Sequence, residues 1–444
     1  MKNRKFFLSL VIMLFITFGL SASGNTETES QTNSDENEQV EITYWYPWGG
    51  DSEKWDMWRI EEFEKKYPNI KVNAIYVPDD GGLKNGKLLA AIAGGKAPDV
   101  VISNSYPLSY AFASKGTLEP LDDALARAGF DEDQLLPAFY DIMKFDGKTY
   151  IFPHDSNVNM LYYNVDLFRE AGLDPDNPPS TIEELDAAAE KLTKISSKGN
   201  IERMGFVPWL DAAQENAYLW GWMFGTTFYN VEENKLQLNS QPLVNTLNWL
   251  KDYGEKYDPE RIQAFSKGFG GAFSPDHPFF NGKVAMTVNG NWFTNAIKLY
   301  APDVNYRVAP IPAPNDGRKN ASVMGTNVFL VPKGTKNIDA VIKFILFASK
   351  PEISASNINT WRSLSAWKGA DPSIIWYENE DPIYKMELEI ANNPNSGHPG
   401  LISISSEISD ELLLVIDKVI YEHLDPKPLL DAMQEKFQKD LDNQ

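Results

Sequence analysis

Residues 41–77 read EITYWYPWGGDSEKWDMWRIEEFEKKYPNIKVNAIYV, and this stretch decides the fold class. Glu41 to Tyr46 alternates and is rich in aromatics, as a half-buried strand requires. After the turn Pro47 to Asp51, the apolar residues Met57, Ile60, Phe63 and Tyr67 recur at helical spacing, and Pro68-Asn69 stops that helix. Ile70 to Val77 is a second strand. Further out, Leu83 to Ala93 predicts a helix and Asp99 to Ile102, behind Pro98, a short buried strand. This β-α-β-α-β order builds a mostly parallel sheet covered by helices, an α/β fold.

Upstream, Lys2, Arg4 and Lys5 precede the apolar run Phe6 to Leu20 and the small residues Ser21 and Ser23, the pattern of a secretory signal over 1–23. The run is shorter than the roughly 20 residues a spanning helix needs, which weighs against an uncleaved anchor. Residues 24–40 are expected to form a flexible tether, because Thr26 to Gln39 is polar, acidic and free of aromatics. Downstream, Ser180 and Glu183 form a capping-box pair ahead of Ile182, Leu185, Ala189 and Leu192, an amphipathic helix placed in a second lobe. Tyr150 to His154 and the proline-punctuated run Arg307 to Pro314 suit connectors between lobes, with surface loops the competing reading.

The 444 residues are 43% apolar and 23% charged, enough to build large cores in two or three units. Forty-one basic against 62 acidic side chains leave a formal charge of −21, which disfavours nucleic acid and anionic lipid surfaces. With no cysteine, disulfides, thiolate metal sites and cysteine nucleophiles are excluded. Gly81 to Lys87, GGLKNGK, matches the first seven positions of a phosphate-binding loop. Leu88 then stands where a hydroxyl must hold Mg²⁺, so a helix-entry turn is the better reading. His154, His277, His398 and His423 are scattered without metal-ligand spacing, and no GxSxG elbow occurs, so neither a metal nor another cofactor is expected.

Aromatic supply stands out: 12 Trp and 19 Tyr, several beside glycines and amides, as in Tyr44 to Gly50 and Asn289-Gly290-Asn291-Trp292. A pyranose offers apolar C–H faces that stack on flat rings and hydroxyls that need directional hydrogen bonds. Trp55 and Trp58, on the first helix, are assigned to lobe packing.

Several ordered blocks then carry a resemblance: Ile42-Thr43-Tyr44-Trp45; Phe63 to Val72; Gly95-Lys96-Ala97-Pro98-Asp99-Val100; Leu161 to Phe168; Ala171-Gly172-Leu173 with Pro178 to Leu185; and Phe280 to Met286 leading to Asn291-Trp292. From Ile42 to the C-terminus the chain resembles the family 1 extracellular solute-binding proteins of ABC importers, the group containing maltose-binding protein. The resemblance implies a two-lobed periplasmic-binding-protein fold with hinge crossings and an interlobe ligand cleft. It places the N-terminal lobe at 41–152 plus 314–355 and the C-terminal lobe at 153–313 plus 356–444. It also implies closure on a ligand, here a neutral mono- or oligosaccharide handed unchanged to membrane permease subunits by a monomeric, non-catalytic receptor.

Positions matching the family's cleft are Trp48, Asp51, Asn104 and Tyr106 from the first lobe, and Asp155, Asn157, Trp209, Trp222, Asn289 and Trp292 from the second. Asn327 and Arg362 are further polar contacts. Many relatives carry a lipobox ending in cysteine. Here Ser23 holds that position, so the resemblance implies a soluble periplasmic or secreted protein without a lipid anchor, although the tether suits an anchored one. Two other classes remain open on the residues alone: a secreted glycoside-active enzyme using a carboxylate pair, and a binding protein for a cation such as a polyamine, favoured by the acidic balance.

Overall fold

A computed structural model describes residues 39–49, 53–78, 86–104, 106–136, 139–211, 217–353, 362–368, 382–399 and 401–443. The expected signal, the tether up to residue 38 and Asp51 lie outside them. Strand β1 (Val40–Tyr46), helix α1 (Glu53–Lys66), β2 (Ile70–Tyr76), helix α2 (Lys87–Ala93) and β3 (Val100–Ser103) follow in the order the sequence predicts, and helix α3 (Tyr106–Ser114) comes next. Glu53 and Asp56 in the first turn of α1 and Lys65 and Lys66 in its last complement the helix dipole. Helix α2 begins at Lys87, after Gly86 in a left-handed conformation (φ 74°). Lys87 lies 5.2 Å from the Trp45 ring centroid, a cation–π contact at the end of the phosphate-loop-like stretch.

The central sheet runs Met286–Gly290, Ile151–Asn164, Met324–Leu330, β3, β1, β2, with Tyr306–Ala309 and Leu364–Ser365 also paired to Ile151–Asn164. Only β1 with β2 and β1 with β3 are parallel. Every other pairing in this sheet is antiparallel, which corrects the mostly parallel sheet expected. The reason lies in connectivity. The repeating β-α unit that enforces parallel strands ends at β3, and the remaining strands come from distant parts of the chain.

Three large apolar clusters sit around this sheet. The first holds Ile42, Tyr44, Phe63, Val100 to Ile102, Ile151, Phe152 and Val328 to Val331, closed by helix Ile338–Ser349. The second gathers Leu161, Tyr163, helix Ile182–Leu192, helix Gln241–Tyr257 and the C-terminal helices Ser405–Tyr421 and Pro426–Asp442. The third, with Val158, Met160, Tyr162, Phe279 and Phe293, packs on the face of strand Ile151–Asn164 opposite Leu161 and Tyr163.

The strand Ile151–Asn164 therefore runs from the first cluster into the other two. The run Arg307 to Pro314 is different. Tyr306–Ala309 pairs with Asn164 to Leu161, and Ala309, Ile311 and Ala313 are buried in the second cluster. The return toward the first cluster is made by Met324–Leu330, which pairs along Ile151 to Val158. Alternating apolar residues and prolines suit an extended segment on a core as well as a connector, so composition does not separate the two. The capping box also moves by one residue. Thr181 is the N-cap and Glu184 its partner: the backbone of Thr181 is extended, its Oγ1 accepts from Glu184 N–H (3.2 Å), and the Glu184 side chain accepts from Thr181 N–H in return.

Candidate ligand cleft

Between the first and second clusters the two crossing strands change character. Paired residues of an antiparallel ladder share a face, and here Asn157 faces Gly325 while Asp155 faces Asn327 and, on its other side, Ser365. Asn157, Gly325, Asn327 and Ser365 are half-buried, in contrast to the buried apolar residues at either end of the strands. They form a polar floor. A Cβ at Gly325 would stand 2.4 Å from Asn157 Oδ1, so a larger residue there would displace the Asn157 amide.

Beneath the floor runs a chain of buried polar side chains. Asn327 Nδ2 donates to Asp155 Oδ1 (2.6 Å), and Asp155 Oδ2 lies 3.0 Å from His154 Nδ1, a close approach in which the ring nitrogen makes no hydrogen bond among the described residues. His154 Nε2 is 2.5 Å from Arg59 Nη1, Arg59 Nη2 is 3.1 Å from Asp56 Oδ1, and Tyr44 Oη donates to the same oxygen (2.8 Å). Burial and the Asp56 charge hold the Tyr44 phenol well above its usual range. Asp56, Arg59, His154 and Asp155 are each no more than 3% exposed, so the network links α1 to the crossing strands entirely out of solvent.

Aromatic residues flank the floor. Asn291 N–H donates to Val158 O (2.9 Å), extending the ladder between Met286–Gly290 and Ile151–Asn164 by one step and leaving Trp292 in the register of Asn157. Trp292 stacks on Phe273 (centroids 5.0 Å, 28°), a ring that is itself 49% exposed. Trp222 Nε1 donates to Asn395 O (2.9 Å), and the Arg318 guanidinium lies 3.9 Å from the Trp222 ring centroid. Burial pulls the Arg318 pKa down. Tyr106 meets His398 edge-on (5.1 Å) and donates to Pro399 O (3.2 Å). His398 Nε2 in turn lies 2.8 Å from Thr326 Oγ1, one residue before Asn327. Burial drives the His398 pKa down to about 3, so this ring is neutral.

Of the residues singled out in the sequence, Asn157 and Asn327 come together on the floor with Asp155 buried against Asn327, and Tyr106 and Trp292 lie one neighbour away. Trp222 joins through Gly397, which is bridged to Val323 and approaches the Trp222 ring. The others are dispersed. Arg362 is buried and donates from Nε (3.1 Å) and Nη2 (3.0 Å) to the fully buried Glu387. Asn289 is 1% exposed and pairs with Met160 on the face that packs the third cluster. Trp209 stands edge-on to Tyr253 (5.9 Å) against the second cluster, Trp48 packs on the first, and Asn104 is exposed after β3. Sequence reasoning missed Phe273, Arg318 and the Arg59–His154 pair. Only Phe273 carried a local signal, Gly270-Gly271 just before it.

An α/β sheet whose two crossing strands expose polar residues between separate cores, with aromatic walls, defines a two-lobed binding protein with an interlobe cleft. Residues 49–355 match the model of the bacterial extracellular solute-binding proteins, and the chain belongs to that family. The arabinooligosaccharide-binding protein of Bacillus subtilis (strain 168) is 26% identical over 91% of this chain and 88% of its own. The sn-glycerol-3-phosphate-binding periplasmic protein UgpB of Escherichia coli (strain K12) is 27% identical over 77% of this chain and 75% of its own. Among solved structures, CpMnBP1 with mannotriose bound is 32% identical, with a TM-score of 0.80 over 90% of this chain and 100% of that one. No helix among the described residues is long and apolar enough to cross a membrane.

Proposed function

We propose that this protein captures a neutral mono- or oligosaccharide in the cleft between its lobes and delivers it, chemically unchanged, to the permease subunits of an ABC importer. The observation that carries this reading is the polar floor of Asn157, Asn327 and Ser365 flanked by Trp292 and Trp222. It offers hydrogen-bonding groups to hydroxyls and flat rings to C–H faces, the two surfaces a sugar presents. The mannotriose-bound relative and the arabinooligosaccharide-binding relative support an oligosaccharide as the ligand class. The protein acts as a monomeric receptor and not as a catalyst and is exported, and Ser23 at the lipobox cysteine position speaks against a lipid anchor.

A second reading, a phosphorylated polyol, is favoured by the similarity to UgpB. The test is a thermal-shift screen of residues 24–444 against mannobiose, mannotriose, arabinooligosaccharides, sn-glycerol 3-phosphate and polyamines. A ligand that binds only the folded state at about a hundredfold excess over Kd adds about 2.7 kcal/mol of apparent stability. A shift with a neutral sugar and none with the others is the expected result. A shift with sn-glycerol 3-phosphate or a polyamine alone would overturn the ligand class, and release of cleaved sugar during incubation would overturn the receptor role.

A further inference from the structure

We infer that Phe273 is a specificity-determining residue that competes with the ligand: its phenyl covers the surface of Trp292 on which a sugar ring stacks, and only a ligand with a ring face of its own can take that place. The inference deepens the proposed function and rests on it. One part of the Trp292 indole lies against the backbone of Gly290. Another is covered by Phe273, with ring centroids 5.0 Å apart and planes at 28°. Rings at that separation are in contact, and no third ring fits between them. Phe273 is itself 49% exposed, so the indole surface beneath it is the one that opens to solvent when the phenyl leaves. A sugar reaches it only in exchange for the phenyl.

The chain on either side of Phe273 is anchored. Phe269 packs edge-on against Phe265 of helix Pro259–Ser266 (5.1 Å). At the other end the buried His277 lies with Nε2 2.9 Å from Asp211 Oδ1, and its Nδ1 accepts from Phe279 N–H (3.3 Å). Between these anchors Gly270 N–H donates to Asp276 O (3.1 Å) and Ser274 N–H to Gly271 O (2.9 Å), a short turn with Phe273 at its tip. The exchange is thereby confined to a few residues, and Gly270-Gly271 supplies the backbone freedom to turn the phenyl outward. A ligand with a flat apolar face restores on Trp292 the contact that the phenyl gives up. An acyclic phosphorylated polyol has no such face, gains nothing from the exchange and leaves Phe273 where it is. Phe273 therefore sets the affinity for ring-shaped sugars and is neutral toward the other class.

The test is titration calorimetry on the full mature chain with mannotriose, arabinotriose and sn-glycerol 3-phosphate, alongside thermal midpoints. Phe273→Ala is expected to tighten binding of the sugar that the wild type binds by roughly two- to tenfold, the factor that corresponds to one aromatic stack. The response to sn-glycerol 3-phosphate should not change. In a Trp292→Ala background the same substitution should leave sugar affinity where it was, because the surface being competed for is gone. Fluorine NMR of the chain with a fluorophenylalanine at position 273 reads the displacement without removing the ring. Saturating sugar should move that resonance out of the ring current of Trp292, toward its position in Trp292→Ala. Sugar affinity unchanged or weakened in Phe273→Ala, tightening that persists without Trp292, or a fluorine resonance that saturating sugar leaves in place would overturn the inference and leave the proposed function standing. A wild-type protein that binds neither sugar would overturn the proposed function, and the inference with it.

Discussion

The indole of Trp292 lies against the backbone of Gly290, so closely that a Cβ at residue 290 would stand 2.1 Å from Trp292 Nε1. The strand there has little room to retreat, because Tyr162 Oη donates to Gly290 O (2.9 Å) from within the third cluster. Gly290→Ala should therefore turn Trp292 out of place, costing about 1–3 kcal/mol of stability through overpacking and weakening sugar binding as well. Chemical unfolding and calorimetry on the same sample check both effects. Unchanged ligand affinity would separate Trp292 from the binding surface.

Trp292→Ala should cost on the order of 2 kcal/mol or more of binding energy, the scale of a buried aromatic anchor at an interface. Phe273→Ala should act in the opposite direction. Its ring occupies part of the Trp292 stacking surface, and removing a stacked pair worth about 0.5–1.5 kcal/mol frees that surface for the ligand. Tryptophan fluorescence titrations of both variants measure the pair. Weaker binding in Phe273→Ala would instead make Phe273 a direct ligand contact.

His398 makes stability depend on pH. Its pKa is held down to about 3 by burial against an ordinary value of 6.5, so the unfolded chain takes up a proton that the folded protein refuses. The contribution is fully present above pH 6.5 and is lost as pH falls toward 3, at up to about 1.4 kcal/mol per pH unit. Asp186 acts with the opposite sign. Burial raises its pKa from 3.8 to about 6, so its contribution is present below 3.8 and lost as pH rises through 6. Urea unfolding at pH 7.5 and pH 5 should show the wild type losing more stability between the two than His398→Gln, and Asp186→Asn losing more than the wild type.

Thr181→Ala removes the side chain that accepts from Glu184 N–H and should cost about 1 kcal/mol of stability. Ligand affinity should be untouched, since helix Ile182–Leu192 lies on the second cluster and contributes nothing to the floor. A parallel Ser180→Ala variant should lose less. Ser180 is not the N-cap, although its Oγ also donates to Glu184 (2.8 Å).

Much of the fold was legible because its signals are local. The alternation of Glu41 to Tyr46, the helical spacing of Met57 to Tyr67 and the Pro68-Asn69 stop lie within one turn or strand of the residues they organise, and β1, α1 and β2 appear where expected. The sheet's mixed direction was not legible, because pairing of Met324–Leu330 with β3 joins segments more than 200 residues apart. The site divides along the same line. Asp155, Asn157 and Trp292, singled out through short motifs that resemble a known family, lie near one another on or just beyond the paired strands. The Arg59–His154 contact spans 95 positions and leaves no trace in either neighbourhood. Arg362 shows the converse, since an arginine suited by chemistry to a ligand is matched in space to a buried Glu387.

The first cluster has a consequence for how the chain reaches its native state. It draws on residues 42–152 and again on residues 324–366, with more than 170 intervening residues that build the other clusters. Contacts of such sequence separation carry a large loop-closure cost and slow the search for the native pairing. A ribosome-bound or truncated chain ending before Met324 would hold β3 as an open sheet edge, with part of its apolar face uncovered, in the state most prone to wrong association. Folding of the first cluster is thus a late event that waits for residues 324–366.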